Sequence, residues 1–277
     1  MLENIWNPWH GCYKYSEGCK FCYMYYLDSK HNIDGGNIYR VKSNFNLPLK
    51  KKRNGEYKIP YGQSVHVCMT SDFFLAEADE WRTDAWNIIA KRQDLIFWLQ
   101  TKRAERVEKC LPDNWGSGWK NVGMCFTAEN QNRADERIPI LLSLPFYKRS
   151  IMCAPMLGAI TLEKYLSTGK IDLVLVDGEN YDGNRILDYE WVKRLYDECL
   201  HFNVRFEFCG TGNFFRKDGK IYHICKAYQK IQAIRSGLQI PVQKSDLPMN
   251  PKCKHCKYNN SCSGCKYCGK CGDVFKL

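Results

Sequence analysis

The chain has 277 residues, 44% hydrophobic and 14% aromatic, which excludes a disordered or fibrous protein and suits one large α/β domain or two average ones. Its formal net charge of +11 favours polyanionic partners, nucleic acid above all, although a solvated basic surface gives the same sum. No apolar run reaches the ~18 residues that a membrane span needs, and Met1-Leu-Glu-Asn-Ile-Trp lacks the basic and apolar regions of a signal peptide, so no membrane partner and a cytoplasmic location are expected.

A first strand is expected around Asn4 to Trp9. It runs into Cys12, Cys19 and Cys22, spaced C-x6-C-x2-C. Three thiols in eleven residues suit a [4Fe–4S] cluster with one iron left open. They equally suit zinc completed by His10 or a distant cysteine. A helix-like segment from Lys20 to about His31 follows, then an irregular basic stretch through Gly62 that contains Lys50-Lys-Lys-Arg53.

From there apolar runs alternate with helical patterns. Val65–Met69 ends in Thr-Ser-Asp and leads to a helix through Trp81, Trp86 and Ile89. Leu95–Leu99 ends in Gln-Thr-Lys-Arg before the helical Ala104–Cys110, and Val122–Phe126 ends in Thr-Ala-Glu before a helix to about Leu144. Ser150–Cys153 precedes Thr161–Leu166, Leu173–Val176 ends in Asp-Gly-Glu before Tyr189–His201, and Val204–Phe208 ends in Cys-Gly-Thr-Gly.

With the first strand this makes seven strands, covered on both faces, in a parallel α/β fold. A (βα) barrel or partial barrel over residues 1–240 fits best, with an open doubly wound sheet as the alternative. In a barrel, reacting groups collect at the C-terminal rim of the strands. The opening cysteines, Ser71, Asp72, Lys102, Arg103, Thr127, Glu129, Asp177, Gly178 and Glu179 all fall at such strand ends.

Sixteen cysteines in a cytoplasmic chain point to metal ligation rather than disulfides. Residues 241–277 form a small cysteine-rich extension in which Cys253, Cys256, Cys262, Cys265, Cys268 and Cys271 follow at C-x2-C-x5-C-x2-C-x2-C-x2-C spacing. Paired C-x2-C units suit zinc and serial ones suit an iron–sulfur cluster. The tail lysines are also placed to meet a phosphate backbone.

In order along residues 4–212 stand Trp6-Asn-Pro-x-x-Gly-Cys12, Ser16-x-Gly-Cys-x-x-Cys-Tyr23, Met69-x-Ser-Asp-x-Phe74, Thr101-Lys-Arg-x-x-Arg106, Ala134-Asp-Glu-Arg-Ile-Pro139 and Gly178-Glu179. This set resembles the radical S-adenosylmethionine (SAM) superfamily, and within it a phage-associated branch. Two departures stand out: the superfamily's commonest spacing is C-x3-C-x2-C, and the branch's Ser-Ala-Glu-Pro is here Cys153-Ala-Pro155.

The resemblance implies a SAM-cleaving [4Fe–4S] cluster held by Cys12, Cys19 and Cys22, with SAM on the open iron. It implies a 5′-deoxyadenosyl radical that abstracts hydrogen from substrate. Phe21 and Tyr23 would shield the cluster and flank the adenine, Ser71 and Asp72 would meet the SAM ammonium, and Lys102 or Arg103 its carboxylate. Thr127 and Glu129 would meet the ribose, and Asp177, Gly178 and Glu179 would complete the pocket. The six tail cysteines would hold an auxiliary [4Fe–4S] cluster or zinc. A flavodoxin or ferredoxin would supply electrons. The expected substrate is a nucleic-acid base or nucleotide-derived molecule, then a peptide or small metabolite. The alternative function is a zinc-stabilised nucleic-acid-binding protein without catalysis.

Overall fold

The structure is a computed structural model that describes residues 4–241. Its centre is an eight-stranded sheet. The strands are β1 (Ile5–Trp6), β2 (Ser64–Val67), β3 (Ile96–Thr101), β4 (Val122–Thr127), β5 (Lys148–Cys153), β6 (Leu173–Asp177), β7 (Arg205–Gly210) and β8 (Gln239–Ile240). β1 to β7 lie side by side in chain order and run parallel, while β8 joins β7 antiparallel. Each connection carries one helix: α1 (Tyr23–Ser29), α2 (Asp79–Lys91), α3 (Ala104–Val107), α4 (Gln131–Ser143), α5 (Glu163–Leu166), α6 (Tyr189–His201) and α7 (Lys226–Arg235).

A crossover between adjacent parallel strands is almost always right-handed. A row whose order never reverses therefore sends its helices to one face, and burial follows. In β3, Phe97, Leu99 and Thr101 are buried while Ile96, Trp98 and Gln100 are half-buried. In β7, Phe206 and Phe208 are buried while Glu207 is exposed. Coverage on both faces, expected for every strand, holds only for a central strand such as β4, where all six residues are buried. There Gly123 leaves room for the Trp98 ring, which an added Cβ would meet at 2.4 Å.

The sheet is not closed among the described residues: β1 and β8 stand at its two edges. Smaller elements surround it. Trp9–His10 pairs with Tyr39–Arg40 beside the cysteine loop, and Phe214–Lys217 forms a hairpin with Lys220–His223 across Asp218-Gly219. Trp86 of α2 packs against Phe73, Trp115 and Trp119 at ring-centroid separations of 4.9, 5.4 and 5.7 Å. Burying one such ring contributes on the order of 2 kcal/mol, so this cluster fixes α2 and the end of β2 below the rim.

No helix among the described residues is long and apolar enough to cross a membrane. The tail cysteines Cys253, Cys256, Cys262, Cys265, Cys268 and Cys271 lie outside the described residues.

Candidate metal centre at the strand ends

The loop after β1 is pinned before it reaches its cysteines. Gly11 sits at φ +88°, and a Cβ there would lie 2.2 Å from the Asn37 carbonyl oxygen, so only glycine fits this turn. Its amide donates to the Thr70 carbonyl at 3.2 Å, and Ser71 Oγ donates back to the Gly11 carbonyl at 2.5 Å. The end of β2 is thus the floor of the loop. A 3₁₀ turn at Glu17–Cys19 then leads to Cys22, which takes the N-cap position of α1.

Three arginines tie this loop to the rim. Arg103 donates from Nη1 to Asp72 at 3.0 Å and from Nη2 to the Tyr13 carbonyl at 2.8 Å, with Nη1 3.7 Å from Cys12 Sγ. Arg133 holds Glu17 at 3.0 Å, and that hydrogen bond keeps the Glu17 carboxyl down at about 2. Arg185 grips buried Glu179 through Nε at 2.9 Å, reaches the Glu17 carbonyl from Nη1 at 2.9 Å, and stacks over Phe21 at 5.4 Å.

The Ser16 hydroxyl donates to Glu129 Oε1, while Glu129 Oε2 accepts from Arg137 Nη1 at 2.7 Å. Glu129 is 0% exposed and Arg137 1%. Gly18 lies against the same carboxylate, where a Cβ would come within 2.4 Å of Glu129 Cγ.

Residues 1–271 match the family described as a protein of unknown function (DUF5131). The chain belongs to the DUF5131 family. No curated protein and no solved structure matches it.

In this DUF5131 protein the three thiols are free and partly accessible. Cys12 and Cys22 each lie in the electrostatic field of Cys19, and Tyr25 feels all three. Burial, then Asp72, pushes the Cys12 thiol up to about 12. Burial also raises Cys22, against the amides of Met24 and Tyr25 and the charge of Lys102. Among the described residues no three His, Cys, Asp or Glu side chains are gathered tightly enough to hold a metal ion. The donor set nevertheless suits a thiophilic metal: three thiols on one loop, none in a disulfide, which lose their protons when they bind a metal. His10 is engaged elsewhere, 2.8 Å from Asp28.

The other expected site residues divide by what they already hold. Asp72 is filled by protein donors: Thr101 Oγ1 at 2.8 Å, the Phe74 and Lys102 amides at 2.9 and 3.2 Å, and Arg103. Glu129 and Glu179 are likewise occupied by Ser16, Arg137 and Arg185. Thr127 is buried, its hydroxyl 3.5 Å from Gln100 Nε2. Tyr23 donates its hydroxyl to the Met69 carbonyl, and burial pushes that phenol well up. Phe21 is half-buried between Arg185 and Lys20. Gly178 marks a close approach of β6 to β7, since a Cβ there would lie 2.4 Å from the Thr211 carbonyl oxygen.

Two groups keep unmet capacity. Lys102 has no acidic partner among the described residues and lies in the field of Cys22 and Cys125. Asp177 Oδ1 is shielded from water with no hydrogen-bond partner, and burial pushes that carboxyl up to about 7. Arg185, Ser16, Gly18 and Arg137 join the site through contacts that the strand-end pattern does not indicate. Ser16, Gly18 and Arg137 lie inside the motifs read from the sequence, whereas nothing local marks Arg185.

Proposed function

We propose that this DUF5131 protein is a radical SAM enzyme whose partial barrel carries a [4Fe–4S] cluster on Cys12, Cys19 and Cys22. The observation that carries the reading is the seating of the thiol loop on the C-terminal strand ends, braced by Arg103, Arg185 and the Ser16–Glu129 contact. A purely structural metal loop has no need of so many ties to one rim. When bound, the cluster would be held by Cys12, Cys19 and Cys22 and would supply the electron for reductive cleavage of SAM and so for hydrogen abstraction from the substrate.

The protein's own groups divide the remaining work. Lys102, unpaired and half-buried beside Cys22, meets the SAM carboxylate as a point charge. Phe21 and Tyr23 flank the loop as aromatic walls that limit water. Asp72 positions Arg103 and the Lys102 backbone rather than touching ligand, and Glu129 positions Ser16 and the loop. Asp177, with one oxygen unmet, offers a hydrogen-bonding group at the end of β6. The substrate is a nucleic-acid base or nucleotide-derived molecule, in keeping with the net charge of +11. The tail cysteines hold an auxiliary [4Fe–4S] cluster or zinc.

Anaerobic reconstitution followed by iron, sulfide and zinc counts tests the metal assignment. Dithionite and SAM are expected to yield 5′-deoxyadenosine, and Cys12→Ala, Cys19→Ala or Cys22→Ala to abolish it. Zinc at the trio, or no 5′-deoxyadenosine, would sink the reading. Metal analysis of protein truncated after Pro248 assigns the tail centre.

A further inference from the structure

The cysteine loop is bordered by lysines and aromatic rings in alternation. Lys14 lies 4.9 Å from the Tyr25 ring centroid, Lys20 5.2 Å from Phe21, Lys30 4.6 Å from Tyr26 and Lys226 5.1 Å from Tyr181. The four lysines are exposed and the four rings half-buried, so each ring keeps some surface while a cation lies over it. None of these lysines has a carboxylate partner among the described residues. Of the acids around them, Glu17 is held by Arg133 and Asp28 by His10, and Asp177 lies in the field of Lys226, while Asp34 and Asp182 remain.

The pairs are not scattered. Tyr26 and Tyr181 stack at 4.9 Å and 33°, and this joins α1 to the loop after β6. Lys30, Tyr26, Tyr181 and Lys226 therefore make one continuous strip. Lys14 Nζ donates to the Lys20 carbonyl at 3.2 Å, which links the other two pairs across the thiol loop.

Exposed cations alternating with partly exposed aromatic rings suit an unpaired strand, because its bases are free to stack while its phosphates meet lysine. A duplex, with its bases already stacked, gains only the charge. We infer that the strip of Lys14, Lys20, Lys30 and Lys226 with Phe21, Tyr26 and Tyr181 binds single-stranded nucleic acid across the mouth of the thiol loop. This names the substrate class of the proposed site and rests on that reading only for the chemistry. Strand binding is measured without SAM, so its failure and failure of the cluster reading are separate results.

Fluorescence anisotropy of the full reconstituted chain with a labelled single strand of about 15 nucleotides tests it. Four lysine contacts predict a log–log salt slope of about −3, or about a 50-fold loss of affinity between roughly 50 and 200 mM salt. The exposed-site variant Lys20→Glu/Lys30→Glu/Lys226→Glu flattens the slope to about −1. Tyr26→Ala lowers affinity about tenfold and leaves the slope unchanged. Lys51→Glu/Lys52→Glu/Arg53→Glu, which reverses the other basic run, binds as the parent does. The tail lysines are present in every variant, so differences report the strip. No binding at low salt, parent-like binding by the triple lysine variant, or equal competition by a duplex of the same length would each overturn the inference. RNA and DNA strands run in parallel show which backbone is preferred.

Discussion

Gly18 lies flat against the Glu129 side chain, with no room for a methyl group between them: a Cβ would come 2.4 Å from Cγ and 2.5 Å from Oε1. Glu129 stands two residues past the end of β4 and Gly18 in the thiol loop, so this contact sets how closely the loop approaches the sheet. Gly18→Ala is expected to destabilise the protein by about 1–3 kcal/mol through overpacking. Combined with Glu129→Ala it should cost less than the sum, because the second change vacates the space. Urea unfolding of the two single variants and the double variant measures this, and strict additivity would show that the loop accommodates the methyl group by moving away.

Glu129 also compensates Arg137, whose Nε and Nη2 are buried without hydrogen-bond partners. Glu129→Gln preserves shape but leaves a buried guanidinium uncompensated, at a cost of about 3–5 kcal/mol. Ser16→Ala removes only one hydrogen bond to the same carboxylate and should cost about 1 kcal/mol. Thermal denaturation ranks the two variants. Equal losses would mean that Arg137 finds another acceptor once Glu129 is neutral.

The fold was legible where residue chemistry is repetitive. β2 to β7 appear as short apolar runs, and α6 spans Tyr189–His201 as its pattern indicates. The single-face burial was not legible, because an apolar run reads the same whether one or both sides are covered. β8 has two residues and pairs only through tertiary placement. The hairpin at Phe214–His223 has a local signal: Asp218-Gly219, both at positive φ, is the two-residue turn that antiparallel pairs favour.

The site was legible as a set of strand ends but not as a set of contacts. Asp72 and Glu129 stand at the rim, yet their oxygens are taken by Thr101, Arg103, Ser16 and Arg137, which sequence spacing does not reveal. Arg185 reaches a carbonyl 168 residues away in the chain, in a segment without regular structure, and no local pattern announces it.

Asp177 gives stability a distinctive pH dependence. Burial pushes its carboxyl up to about 7, whereas an unfolded aspartate titrates near ~3.9. Between about pH 4 and 7 the folded chain holds a proton that the unfolded chain has lost, so this group's contribution to stability falls as pH rises. Above that window the full penalty, on the order of 4 kcal/mol, is present. Asp177→Asn is therefore expected to raise Tm at pH 8, with the gain shrinking towards pH 4. A gain that is flat with pH would mean that the carboxyl ionises at an ordinary value.

Arg185 separates the tie to the loop from the neutralisation of Glu179. Arg185→Ala leaves Glu179, 4% exposed, as a buried carboxylate without its cation, and it also frees the Glu17 carbonyl. The first loss should cost about 3–5 kcal/mol and the second about 1 kcal/mol. Adding Glu179→Gln to Arg185→Ala removes the stranded charge, so most of the stability should return while the loop stays untied. Arg185→Lys keeps the charge but not the planar fork, and should retain stability better than loop attachment. Urea midpoints follow the charge, and limited proteolysis between Tyr13 and Cys22 follows the tether. If the Arg185→Ala/Glu179→Gln protein regains both stability and protease resistance, the guanidinium serves Glu179 alone and the thiol loop is held by Arg103, Arg133 and Ser16.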